Sequence, residues 1–232
     1  MPLDEAEVAI AARRVTLDGR VATEALAPVR EGAKVTVDGH PVSLAWRTRV
    51  LVFHKPAGLI TQGTDPERIG TVFEGLRAVL PLALNRFGWH CVGRLDRDTT
   101  GLLLFTNDER FVQHATSPET HLDKRYVATV GAGVTDEKLA PLRRGVRIDE
   151  GELTRPAKAT VRGSDAVELV LTEGRFHQVK RMLNAVGLPT LALHREAVGR
   201  LELDVPEGQV RELGDDEVAA KLGFTPRRGH GG

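Results

Sequence analysis

Gly93-Arg94-Leu95-Asp96-Arg97-Asp98-Thr99-Thr100-Gly101-Leu102-Leu103-Leu104-Phe105-Thr106-Asn107 joins two unlike halves. The first is crowded with opposite charges: Arg94, Asp96, Arg97 and Asp98. The second, Leu102 to Phe105, is an unbroken apolar run that suits a buried strand. A charged loop running straight into a buried strand holds its carboxylates at the edge of the core. A carboxylate there loses part of its hydration, while an adjacent guanidinium favours its charged form. Asp96 is the first candidate for chemistry on this ground. A surface salt-bridge cluster ahead of a core strand fits the same spacing, since ion pairs also gather without function.

Arg-Leu-Asp, two residues, then Thr-Thr-Gly and an apolar strand resembles the active-site motif of the RsuA/RluA superfamily of RNA pseudouridine synthases. The Thr-Thr-Gly form resembles the RsuA branch. In that family the Asp of Arg-Leu-Asp is the catalytic carboxylate, so the resemblance gives that role to Asp96. Two further stretches carry it. His121-Leu122-Asp123-Lys124-Arg125-Tyr126-Val127 enters a strand through charged residues and resembles the second motif, whose Tyr stacks on the target base beside the Asp. Here that residue is Tyr126, the one tyrosine of the chain. On the residues alone, a strand Tyr with its ring in the core and its hydroxyl wet fits equally. Glu173-Gly174-Arg175-Phe176-His177-Gln178-Val179-Lys180-Arg181-Met182 resembles the third motif. The family places a basic residue beside the catalytic Asp; the resemblance points to Arg175, with Lys180 as the substitute. Val50-Leu51-Val52-Phe53 followed by Lys55-Pro56-Ala57-Gly58 resembles the opening of the catalytic domain. Leu153-Thr154-Arg155-Pro156-Ala157 and the Leu-x-Arg strand at Leu193-His194-Arg195 resemble the RsuA branch. The resemblance runs from about residue 50 to residue 204.

Working outward, 232 residues suffice for a small domain and a larger one. Basic and acidic side chains balance at 32 each, so any nucleic-acid site must be a local patch rather than bulk charge. Cys91 is the lone cysteine, which excludes an intramolecular disulfide and suits a reducing cytoplasm. No apolar run approaches the ~20 residues of a membrane helix. The acidic start lacks the features of a signal peptide, and the tail from about residue 226 reads as disordered. The histidines and the cysteine show no zinc spacing, and no phosphate-cradling glycine loop is present, so neither metal nor nucleotide cofactor is expected. Cys91 has no supporting His/Asn set and reads as a small buried residue. Asp96 and Asp98, two apart on a strand-like segment, face one way and cannot flank a sugar as a glycosidase pair does; Asp98 reads as structural.

Before the catalytic segment, residues 5–14 suit a short helix. Two β-rich runs, 15–21 and 35–42, are each broken by Asp-Gly, a hairpin-turn signal. Between them a helix-like piece contains Glu24, Leu26 and Val29. This arrangement resembles an S4 RNA-binding domain shortened at its start; a small α/β module without an RNA role fits the residues too. Residues 45–49 read as linker. Helices are expected at 71–80, at 108–115 with Asn107 as cap and Ser117-Pro118 as stop, and at 136–144. Residues 157–161 and 166–172 read as a strand pair. Over 176–187, Phe176, Val179, Leu183 and Val186 share one helical face, while His177, Lys180, Arg181 and Asn184 share the other.

The resemblance implies an α/β (α+β) protein: an S4-like domain over residues 1–46, then a catalytic domain over 47–232 built on a mixed, largely antiparallel sheet. It implies isomerisation of a uridine in ribosomal RNA, in the RsuA branch 16S rRNA of the small subunit, free or in a pre-ribosomal particle. No cofactor is needed, because bond making replaces bond breaking. Catalytic candidates are Asp96, Tyr126 and Arg175. RNA-binding candidates are Arg94, Arg97, Lys124, His177, Lys180 and Arg181, with Arg13, Arg14, Arg20 and Lys34 in the N-terminal module. A cytoplasmic monomer without membrane contact is expected. A synthase acting on 23S rRNA and a non-catalytic S4-type RNA-binding or assembly protein are the competing readings.

Overall fold

The computed structural model describes residues 3–25, 27, 29, 33–42, 47–62, 69–85, 87–117, 119–120, 122–131, 133–148 and 151–228. The chain divides into two compact units, Met1–Arg47 with Arg227–Gly232, and Thr48–Pro226.

The small unit opens with helix α1 (Leu3–Ala11), followed by β1 (Val15–Leu17), β2 (Arg20–Val21), β3 (Val35–Val37) and β4 (His40–Val42). The strands form one antiparallel sheet in the order β2-β1-β3-β4. Both Asp-Gly pairs make the hairpins expected of them. Asp18 and Gly19 have φ of 50° and 81°, and Asp38 and Gly39 of 52° and 79°, the double positive φ of a type I′ turn. Arg14 reaches the second turn, its Nε donating to Asp38 Oδ1 at 2.7 Å. The helix expected between the hairpins is not seen among the described residues: Glu24 and Val29 are non-helical, and Leu26 lies outside them. Pro28 lacks a backbone donor, and a proline disfavours helix at the residue before it, here the non-helical Ala27.

In the large unit the elements run β5 (Val50–Lys55), α2 (Val72–Val79), a 3₁₀ turn (Leu82–Leu84), β6 (His90–Val92), β7 (Thr99–Thr106), α3 (Glu109–Thr116), β8 (Lys124–Val130), α4 (Asp136–Leu139), β9 (Arg147–Ile148), β10 (Glu152–Leu153), β11 (Lys158–Val161), β12 (Ala166–Leu171), α5 (Gln178–Ala185), β13 (Thr190–Val198), β14 (Leu201–Glu202), β15 (Val210–Glu212) and α6 (Asp215–Leu222). Strands β9 and β10 pair separately. The others form a nine-stranded sheet ordered β11-β12-β8-β13-β7-β5-β15, with β14 on β13 and β6 on β7. β7–β13 is parallel and the remaining pairs of this sheet are antiparallel, the mixed, largely antiparallel sheet expected.

β7 is central, which explains its apolar run. Leu102 and Leu104 pack on one face with Val50, Val52 and Phe111. Leu103 and Phe105 pack on the other with Leu51, Phe53 and Leu76. All four β7 side chains are at most 1% exposed, each worth roughly 1.5–3 kcal/mol relative to exposure. Gly101 precedes them with φ 111°. Its parallel partner in β13 is Arg195, and a Cβ at Gly101 would lie 2.3 Å from the Arg195 carbonyl oxygen.

Helix α2 starts in a capping box, Thr71 with Glu74, and buries Val72 and Leu76 as its periodicity predicts. Elsewhere the structure departs from the sequence reading. The cap of α3 is Asp108, whose side chain accepts from the Arg110 amide at 3.0 Å; Asn107 Oδ1 instead accepts from the Arg49 amide at 2.7 Å. The helix ends at Thr116, and Pro118 lies outside the described residues. Helix α4 stops at Leu139 because Pro141 cannot continue the ladder. The expected linker is tied down at its end: buried Thr48 donates to Asp108 Oδ2 at 2.7 Å, and Arg49 Nη1 to Glu212 Oε1 at 2.8 Å. Residues 45 and 46, the loop residues 63–68 and the tail residues 229–232 lie outside the described residues. No helix of the described residues is long and apolar enough to cross a membrane.

Candidate active site

Asp96 lies in the connection between β6 and β7. Main-chain oxygens fix this loop. The Leu95 carbonyl accepts from Thr61 Oγ1 at 3.2 Å, that of Asp96 from the Thr99 amide at 3.1 Å, and that of Arg97 from the Gly58 amide at 2.8 Å. Lys55, the last residue of β5, is fully buried beneath them. Its Nζ donates to the carbonyls of Pro56, Arg97 and Thr99 at 3.0, 3.2 and 2.9 Å. Burial pushes the Lys55 ammonium down to about 8 from 10.5, although Asp98 and Asp96 draw it upward.

Lys55→Met keeps the stem and removes the donors. Leaving buried carbonyls unpaired costs about 1–3 kcal/mol each, partly offset because no charge is buried. Turnover is expected to fall about tenfold or more as the loop loosens, with the fold retained. The pH response carries its own sign. Below the folded value both states hold the proton, and the burial penalty is complete. Between about 8 and 10.5 the folded state releases it first, so the parent gains stability as pH rises. Urea midpoints of parent and Lys55→Met near pH 7 and pH 10 check this; parallel shifts in both proteins would rule it out.

The Asp96 carboxylate faces two groups from the segment around α5. Its Oδ2 is 3.2 Å from Lys180 Nζ, and its Oδ1 is 3.5 Å from His177 Nε2. Lys180 also donates to Asp98 Oδ1 at 2.6 Å. Burial works against the Lys180 charge, but hydrogen bonds to Asp98 and Asp96 outweigh it and hold its pKa above the ordinary value. The Lys180 hydrogen bond likewise holds Asp98 below the usual carboxylate range.

The expected Asp96 partner, Arg175, is engaged elsewhere. Its Nε pairs with Glu173 Oε2 at 3.3 Å, and its Nη2 donates to the Leu153 carbonyl at 3.1 Å. The cause is where the helix begins. Arg175 lies in the turn before α5, whereas Lys180 lies in its first turn. Lys180, expected on a phosphate or as the substitute, therefore stands against Asp96.

Asp96 lines a cavity of about 710 Å³ together with Arg94, Arg97, Lys124, Tyr126, Arg175, Phe176 and His177, a size typical of small-molecule sites. Tyr126 stands on β8 with Arg195 opposite it on β13. Arg195 Nη1 is 3.5 Å from the Tyr126 hydroxyl, and Arg195 Nε donates to the Leu102 carbonyl at 2.7 Å. Arg195 is 4% exposed and also lines the cavity. In the sequence, Leu193-His194-Arg195 reads only as a strand; the one signal for Arg195 is an arginine inside a family-like motif, and its burial emerges in the fold. Burial, then Arg195, lowers the Lys124 pKa.

The other candidates scatter. Arg181 Nη1 donates to the Phe176 carbonyl at 2.7 Å. Arg13, Arg14, Arg20 and Lys34 are exposed on the small unit. Cys91 Sγ donates to the Gly93 carbonyl at 3.4 Å, and burial pushes the thiol up to about 12, which disarms it as a nucleophile at neutral pH.

Comparison with known proteins agrees with this architecture. Ribosomal small subunit pseudouridine synthase A of Escherichia coli is 36% identical over 214 residues, 91% of this chain and 90% of that protein. An uncharacterized RNA pseudouridine synthase of Bacillus subtilis is 35% identical over 222 residues, 92% of this chain and 90% of that one. A crystal structure of a pseudouridylate synthase matches with a TM-score of 0.68 at 30% identity, covering 94% of this chain and 93% of that chain. Residues 49–185, from the approach to β5 to the end of α5, match the family described as RNA pseudouridylate synthase, and the chain belongs to that family.

Proposed function

We propose that the protein isomerises a uridine of 16S ribosomal RNA to pseudouridine, with Asp96 as the catalytic carboxylate. The observation that carries this is a carboxylate, presented by a backbone-pinned loop, on the wall of a nucleoside-sized cavity that also holds Tyr126. The small-subunit relatives support the choice of 16S rRNA. A paired base cannot reach such a cavity, so the uridine flips out at a cost of a few kcal/mol of unstacking. The N1–C1′ bond then breaks, uracil turns, C5 joins C1′, and the proton on C5 is released while N1 gains one. Nothing is oxidised, and no external group is consumed. Asp96, whether it attacks sugar or base or takes a proton, needs its negative charge. Lys180 places a positive charge against it, and Tyr126 stacks on the uracil. Arg94 and Arg97 meet the flanking phosphates.

Tritium release from uridine-labelled 16S and 23S rRNA, with chemical mapping of the product, tests the reading. Release from 16S alone is expected. Release from 23S alone would move the substrate to the large subunit, and none from either would leave an RNA-binding protein without chemistry.

Two variants separate the basic residues. Lys180→Met should lower single-turnover rates by roughly 10²-fold, the scale for losing one preorganised electrostatic contact, and Arg175→Met by far less. Equal losses would reject the pairing of Lys180 with Asp96 as the functional one.

The small unit is the S4-like RNA-binding module in this proposal. Its hairpins and its exposed Arg13, Arg20 and Lys34 support that reading. Removing residues 1–47 should weaken rRNA binding and flatten its salt dependence, because fewer phosphates are neutralised. An unchanged salt slope in a filter-binding titration would deny the module this role.

A further inference from the structure

Phe176 leaves 70% of its surface exposed, although its spacing with Val179, Leu183 and Val186 places it on the buried face of a helix. The helix begins two residues later, at Gln178. Between them His177 adopts φ 49° and ψ 31°, the left-handed region that few non-glycine residues enter and that often marks functional sites. There the two consecutive rings stack, with centroids 3.7 Å apart and planes within 21°. The turn is braced from both sides: Arg181 Nη1 donates to the Phe176 carbonyl at 2.7 Å, and the Arg175 amide to Gln178 Oε1 at 2.9 Å.

Both rings line the cavity that holds Asp96, and His177 Nε2 is 3.5 Å from the Asp96 carboxylate. A series therefore leads outward from the reacting end: carboxylate, imidazole, then a phenyl ring largely in water. An open aromatic face is poorly matched to solvent and well matched to a nucleobase, whichever base it is. When a uridine flips, its neighbour in the strand loses a stacking partner. Arg94 and Arg97, exposed along the same cavity, suit the phosphates of that neighbour.

We propose that the outer face of Phe176 is a stacking subsite for the base adjacent to the flipped uridine, which makes Phe176 a positioning residue. This rests on the reading of the cavity as the uridine site. Because the ring is exposed, Phe176→Leu should fold and melt as the parent does.

The experiment compares parent, Phe176→Leu and Phe176→Tyr on 16S rRNA. It then uses an rRNA fragment in which either neighbour of the mapped uridine is abasic. Phe176→Leu should raise KM roughly tenfold with kcat within about twofold, the scale of one lost base–aromatic stack, and Phe176→Tyr should restore KM. One of the two abasic substitutions should raise KM for the parent by a similar factor and leave Phe176→Leu unchanged. An unaltered KM in Phe176→Leu overturns the subsite, as does additivity with both abasic fragments. A lowered melting temperature overturns it as well, since the ring would then be holding the turn. A parent inactive on all rRNA overturns the functional reading itself, and the subsite with it.

Discussion

Replacing Asp96 by Asn is expected to cut pseudouridine formation by roughly 10⁴- to 10⁶-fold, as when an essential nucleophile or base is lost, while fold and RNA binding persist. Asn keeps the volume of the side chain, and the loop around it is held by carbonyl oxygens that the substitution does not touch. The change does take a charge from Lys180, but Asp98 remains within 2.6 Å to retain it. RNA affinity should hold or rise, since a negative charge leaves a site that receives a polyanion. Asp98→Asn is the control. That side chain is 71% exposed and pairs with Lys180 at the solvent edge, so substantial activity should survive. Single-turnover tritium release on both variants, with circular dichroism to establish folding, decides the matter. A folded Asp96→Asn protein with parental turnover would refute the catalytic assignment.

The largest effect on stability is expected from Gly101→Ala. A Cβ at this position meets the Arg195 backbone, oxygen at 2.3 Å and nitrogen at 2.6 Å, and the φ of 111° is unfavourable for any residue with a side chain. Neither atom belongs to a flexible group. Backbone strain and overpacking together suggest a loss of about 3–5 kcal/mol, a large share of the stability of an ordinary domain. For a chain of this size that lowers the melting temperature by about 10 °C. Any escape forces β13 away from β7 and takes Arg195 and its contact with Tyr126 along, so activity should fall in the fraction that remains folded. A thermal melt within about 2 °C of the parent would show that the close approach of the strands is not needed.

Local chemistry made much of this molecule readable from its sequence. The Leu102 to Phe105 run suits a buried strand, the Asp-Gly pairs are strong hairpin signals, and the meeting of charge and core makes Asp96 a candidate that a surface salt-bridge cluster fits equally until the family resemblance is added. The sequence pattern misplaces residues wherever a single backbone choice decides the outcome. Lys180, and not Arg175, stands against Asp96 because His177 turns left-handed and delays the helix, and nothing periodic announces such a turn. The same event removes Phe176 from the face that counting gave it. Asn107 and Asp108 are both good caps, and the contact of Arg49 with Asn107, distant in sequence, leaves Asp108 to do the capping. Lys55 is in the sequence only part of a Lys-Pro-x-Gly step, because its acceptors at residues 97 and 99 arrive from another strand connection.

The loop carrying Asp96 takes its shape from the oxygens of Leu95, Asp96, Arg97 and Thr99, and from the donors Thr61, Gly58, Lys55 and the Thr99 amide that hold them. Every amino acid brings a carbonyl oxygen, so the side chains at the exposed positions 94 and 97 are not bound to the loop's geometry. On the proposed function, substitution there would alter the grip on RNA without moving Asp96. Selectivity and chemistry would then be separately heritable within one short segment, the first at positions 94 and 97 and the second at position 96.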